Sequence, residues 1–98
     1  MAYAWTQDLP ISREMYDRIR TKLDAKELKG LEAHLAVEIP GGGIRYIDVW
    51  ESKDHYERAM DEVIHPVVFS VFQEMGFTPL AEPPRTDLTV IDFRTSRG

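Results

Sequence analysis

The chain has 98 residues, the size of one domain, and residues 1–98 are read as a single one. Twelve basic against 17 acidic side chains leave a net charge of -5, which argues against a phosphate-backbone partner. With 43% hydrophobic and 30% charged residues the composition is that of a globular chain, and the lack of any cysteine excludes disulfides, thiolate nucleophiles and Cys-based zinc sites. No apolar run approaches the roughly 20 residues of a membrane span. The N-terminal MAYAWTQDLP lacks the basic-then-apolar layout of a signal peptide, so a cytoplasmic location is expected, without nucleic-acid or membrane partners.

In chain order, Ala2 to Thr6 carries aromatics at alternate positions and reads as a first strand. After Pro10, Ser12 is placed to cap a helix and Glu14 suits its positive end. Met15, Tyr16, Ile19 and Leu23 then recur at helical spacing to about Ala25, with charged residues between them as a solvated face. Gly30 marks the exit. From Leu31 to Ile39 odd positions are apolar and even positions mixed, the period of a strand. Pro40 to Gly43 can only be a reversal, and the absence of a following helix there excludes a phosphate cradle. Ile44 to Trp50 is the next strand, apolar on both faces and therefore expected to be central.

Ser52 caps a second helix, with Asp54 in its first turn. Pro66 interrupts this helix, and His65 before it is expected to leave helical angles. Val68 to Met75 resumes the periodicity; the Phe69, Phe72 and Met75 stripe reads as core or subunit packing. Gly76 and Pro79 stop the helix. A last strand is expected over Asp87–Arg94, and Thr95 to Gly98 are expected to fray. The order β-α-β-β-α-β predicts a ferredoxin-like α+β fold, with two helices on one face of a four-stranded antiparallel sheet.

If Pro40 opposes Ile44, His34 stands opposite Trp50 and Ala36 opposite Asp48. Leu31, Ala33, Leu35, Val37, Ile47 and Val49 then share a face suited to the helices. His34, Ala36, Glu38, Tyr46, Asp48 and Trp50 share the other, with His34 and Asp48 within side-chain reach as diagonal neighbours. Aromatic groups on an open sheet face are costly in water, at about 1.5–3 kcal/mol each, so a second copy is expected to cover it.

Here the chain resembles a family. The string GLEAH…GGGIRYIDVWESKDHYE, with Tyr16, Gly30, His34 and Asp48 to Ser52 as the best local matches, is similar to the dimeric α/β-barrel superfamily. Small proteins related to antibiotic biosynthesis monooxygenases are the nearest group. The resemblance implies a homodimer with a small-ligand cavity between helices and sheet or between sheets. The activities it brings into view include cofactor-independent oxygenases and isomerases, haem-degrading enzymes, and proteins with no assigned reaction.

His34 is the candidate general base, its ring oriented by Asp48. Tyr46 and Trp50 are candidates for holding an aromatic substrate. A His–Asp pair that only satisfies two polar groups is the competing reading, and with it a ligand-binding or interaction module that changes no bond. No cofactor or metal is expected, because three separated histidines make a weak metal site. Haem through His55 or His65 is disfavoured because the resemblance's haem-degrading members use an asparagine near the first strand, and this chain has no Asn.

Overall fold

The computed structural model of the chain describes residues 2–79 and 81–95. Its elements run β1 (Tyr3–Leu9), α1 (Arg13–Leu23), β2 (Leu31–Glu38), β3 (Ile44–Trp50), α2 (Lys53–Ala59), a π-helical turn (Met60–Ile64), α3 (His65–Glu74) and β4 (Arg85–Leu88). The strands form one antiparallel sheet in the order β2-β3-β1-β4, the ferredoxin-like arrangement expected from the sequence. The starts of α1 and α2 are fixed by serine: Ser12 Oγ accepts from the Met15 amide at 3.1 Å and Ser52 Oγ from the His55 amide at 3.2 Å.

The pairing of β2 with β3 is displaced by two residues from the expected register. His34 lies directly opposite Asp48 and Ala36 opposite Tyr46. The Ile39 amide donates to the Gly43 carbonyl at 3.0 Å, so the reversal closes one rung earlier than a Pro40–Ile44 pairing allows. A two-residue displacement keeps side-chain parity, so His34, Tyr46, Asp48 and Trp50 still share a face. Parity breaks only at a β-bulge between Leu31 and Ala33. There Leu31 opposes Trp50 and joins its cluster instead of staying with the odd-numbered set.

That shared face is turned to the helices, the reverse of the expected assignment. Trp5, Trp50, Tyr56 and Ala59 form one buried cluster beneath α2; Ile11, Met15, Ile19, Ile44 and Val71 form another between α1, β3 and α3. Tyr46 packs against both. The reason lies in β1, where Tyr3, Trp5, Gln7 and Leu9 pair with the even residues of β3 and add their bulk to that side. The outer face keeps flat aliphatic residues, with Leu35 52% and Val37 39% exposed.

Two other expectations are corrected. The last strand occupies Arg85–Leu88, not Asp87–Arg94, because Leu88 already pairs with Ala4 and β1 starts one residue before it. His65 stays helical, at φ -57° and ψ -48°, because the preceding turn is π-helical and its amide reaches back to the Met60 carbonyl. The wider turn accommodates the Pro66 ring without breaking the helix. Of the four C-terminal residues expected to fray, Ser96 to Gly98 lie outside the described residues.

Gly30 locks the entry of β2 to the start of α2. Its φ is +87°, its carbonyl accepts from the Glu51 amide at 2.7 Å, and a Cβ there would stand 2.6 Å from His55 Cβ. Gly30→Ala is expected to cost about 2–3 kcal/mol through left-handed strain and the clash, read as a lower urea midpoint with an unchanged m value.

Candidate functional site

Asp48 sits at the centre of β3, only 5% exposed, and its two oxygens are used differently. Oδ2 accepts from the Trp50 indole N–H at 3.2 Å, while Oδ1 lies 2.6 Å from His34 Nδ1 on the neighbouring strand. A buried carboxylate requires donors, so this geometry places the His34 proton on Nδ1 and leaves Nε2 as an acceptor. The Tyr16 hydroxyl, on the first turn of α1, lies 3.1 Å from Nε2. The result is a continuous chain, Trp50–Asp48–His34–Tyr16, running from the buried cluster toward α1.

Aromatic packing holds these groups. Tyr46 meets His34 edge-on with ring centroids 5.1 Å apart and Tyr16 at 5.7 Å. Trp50 is fully buried against Tyr56, so its indole has one fixed position from which to serve Asp48. Burial, followed by the proximity of Tyr16 and Asp48, pushes the Tyr46 hydroxyl far above its ordinary pKa. Burial likewise raises Tyr16, with Arg20 opposing and Asp48 adding to the shift. Both phenols are thus held as neutral hydrogen-bonding groups at physiological pH.

These side chains line a cavity of about 900 Å³ between the sheet and the helices. All four sequence-predicted residues, His34, Tyr46, Asp48 and Trp50, are on its wall. The cavity lies within the subunit, between sheet and helices, and the two-sheet enclosure considered from the sequence does not describe it. Most of the remaining wall is apolar, from residues such as Ile19, Leu23, Val68 and Phe72. Phe69 also lines it, 58% exposed and stacked on His65, so the expected packing stripe is partly a cavity wall.

The other two histidines are separated from this chain of bonds. His55 Nδ1 is 2.7 Å from Ser52 Oγ at the start of α2, away from the cavity wall. His65 is on the wall, with Nε2 3.4 Å from Glu82 Oε1, which also accepts from Arg85 at 3.2 Å. Burial pushes the Glu82 carboxyl up, but the bonds from His65 and Arg85 outweigh it and hold it below the usual range. No group of three or more potential metal-ligating side chains occurs among the described residues.

Sequence reasoning did not place Tyr16, Trp5 or Gln7 at the site. Tyr16 was visible as part of an apolar stripe, and only the cap at Ser12, four residues earlier, sets its direction toward β2. Trp5 lies opposite Asp48 in the ladder, and Gln7, 6% exposed, donates to the Pro83 carbonyl at 2.6 Å. The Tyr3-Trp5-Gln7-Leu9 alternation carried that signal, but its use required the β1–β3 register.

The fold and this site define a ferredoxin-like protein with an intrasubunit cavity, and solved structures share that fold over nearly the whole chain. A Chloroflexus aurantiacus protein described as an antibiotic biosynthesis monooxygenase superposes with TM-score 0.65 at 13% identity, covering 97% of this chain and 98% of that one. Rv0793 from Mycobacterium tuberculosis gives 0.63 at 15% identity, covering 97% and 100%. SnoaB from Streptomyces nogalater, a cofactor-independent oxygenase, gives 0.62 at 12% identity, covering 94% and 95%. The chain therefore has the antibiotic biosynthesis monooxygenase-like fold. No protein-family model and no curated protein matches it in sequence.

All four tyrosines have hydroxyl pKa values raised above the ordinary 10.0, with burial the leading cause in each. The folded chain then holds phenolic protons that the unfolded chain has lost, so stability is full below about pH 10 and falls as pH rises beyond it. Absorbance at 295 nm is expected to show tyrosinate appearing later in the native chain than in urea, with thermal stability declining over the same interval.

Proposed function

We propose that this chain binds a small, partly aromatic organic molecule in the cavity and acts as a cofactor-independent monooxygenase, or a related isomerase, on a phenolic or enolic polyketide-like substrate. The observation that carries the reading is the bonded Asp48–His34 pair on the wall of a mostly apolar cavity. An imidazole oriented by a carboxylate beside a ligand-sized cavity is suited to exchange a proton with an occupant. His34 would receive the substrate proton, and Asp48 would stabilise the imidazolium that forms. Tyr46 and Trp50 would orient the ring.

The anion left behind is electron-rich and reacts with dioxygen. The peroxide anion formed on carbon takes back the proton held by His34 to give a hydroperoxide. The remaining hydrogen on that carbon leaves with the distal oxygen's hydroxyl as water, so one oxygen atom stays in the product as a carbonyl and the other departs in water. A cofactor-independent oxygenase among the structures sharing the fold supports this choice. The competing reading is a carrier that holds the same ligand unchanged, and its supporting observation is that both His34 nitrogens already have protein partners.

The working unit in this proposal is a homodimer. Leu35, Val37 and Leu88 are 52%, 39% and 40% exposed on the sheet face away from the helices, and Ile91 beyond β4 is 94% exposed. A second copy covering this face would remove that apolar surface from water. The Leu35→Glu/Val37→Lys double variant is expected to elute as a monomer in light-scattering chromatography where the unmodified chain is a dimer; two dimers would sink this face as the interface, and two monomers the dimer itself.

Oxygen uptake with reduced naphthoquinones and anthrones separates the oxygenase from the carrier. His34→Gln, which can still donate to Asp48 but is no base, is expected to lower turnover by about 100-fold or more while the fold survives. Wild-type turnover in that variant would remove His34 from the chemistry. Ligand binding with no oxygen consumed would leave the carrier.

A further inference from the structure

Both nitrogens of His34 are engaged, Nδ1 with Asp48 at 2.6 Å and Nε2 with the Tyr16 hydroxyl at 3.1 Å. A substrate hydroxyl therefore finds no free nitrogen on His34 itself. Tyr16 is itself on that wall. Its oxygen spends its one proton on Nε2 and keeps acceptor capacity, since a phenolic oxygen can donate once and accept as well.

We propose that Tyr16 is the catalytic residue that meets the substrate, and that His34 works through it. This rests on the reading of the cavity as a site for phenolic or enolic molecules, and it narrows that class to ligands presenting a free hydroxyl toward α1. The ligand O–H donates to Tyr16 Oη. As that proton transfers, the proton already on Oη passes to His34 Nε2. The ligand becomes an anion, Tyr16 ends neutral as it began, and the imidazolium is held by ionised Asp48. No electrons move in this step, and reversal of the same path restores the resting state.

Three further features fit the assignment. The Tyr16 ring is held by its neighbours, near-parallel to His34 with centroids 6.3 Å apart and edge-on to Tyr46 at 5.7 Å. Burial raises its pKa, which keeps the hydroxyl protonated and able to pass a proton in concert instead of resting as tyrosinate. Finally, Tyr16 and His34, with Arg20, also border a second, surface pocket of about 430 Å³ lined by Arg13, Asp17 and Glu38 among others, so the pair stands where the cavity adjoins a charged recess.

Tyr16→Phe tests this, because it keeps the ring and its packing while deleting only Oη. Two probes of nearly equal shape, 1-naphthol and 1-methoxynaphthalene, are titrated by calorimetry into the wild-type and variant chains. Wild type is expected to prefer naphthol by about tenfold, the worth of one hydrogen bond, and Tyr16→Phe to bind both equally with the ether's affinity unchanged. Equal binding of the two probes by wild type, no binding of either, or a naphthol preference that persists in Tyr16→Phe overturns the assignment. In oxygen-uptake assays with anthrones, the variant is expected to lose about 100-fold in turnover. Wild-type turnover in the variant sinks the relay but leaves the oxygenase reading standing. A preference for naphthol that depends on Tyr16, with no oxygen consumed by either chain, sinks the oxygenase reading and leaves the Tyr16 contact in place.

Discussion

The structure depends on keeping the carboxylate of Asp48 inside the protein. A carboxylate at 5% exposure on the central strand must be given hydrogen-bond donors, because burying it without them is costly. Trp50 and His34 supply them, at 3.2 and 2.6 Å. Each donor must in turn be held in place. Trp50 is held by the Trp5–Tyr56 cluster under α2, His34 by the β2–β3 ladder and by Tyr16 and Tyr46. A single buried charge therefore ties the two hydrophobic clusters, both central strands and α1 into one arrangement.

The same requirement makes a site. A carboxylate behind an imidazole fixes the ring's tautomer and directs its second nitrogen outward, here toward α1 and the cavity. The remaining walls are largely apolar, so these polar groups stand out as the points that can orient an occupant. The polar chain runs from the buried core to the cavity wall, and the His65–Glu82–Arg85 group is a separate, more exposed set.

Much of this was legible in the sequence. The period of two in Leu31–Ile39 and Ile44–Trp50, with the glycine-rich reversal between them, carried the hairpin, and β3 has the bounds read from it. The shared face of His34, Tyr46, Asp48 and Trp50 follows from parity alone, which a two-residue displacement does not disturb. Which way that face turns did not follow. Ile44 and Tyr46 are as apolar as Ile47 and Val49, so β3 is ambiguous, and the decision belongs to Trp5 and Leu9 on a strand 35 or more residues away. The bulge after Leu31 leaves no mark in residue type, and the π-helical turn that absorbs Pro66 is a collective adjustment of the backbone. The shorter β4 reflects where β1 begins, a property of its partner and not of Thr89 to Phe93.

The most direct measurement of the central interaction is the protonation pattern of the His34 ring by long-range ¹H–¹⁵N correlation NMR. If Asp48 orients the imidazole as described, the neutral ring carries its proton on Nδ1 and accepts at Nε2, and Asp48→Asn disturbs that pattern. A neutral ring protonated on Nε2, or a spectrum indifferent to Asp48→Asn, would contradict the account.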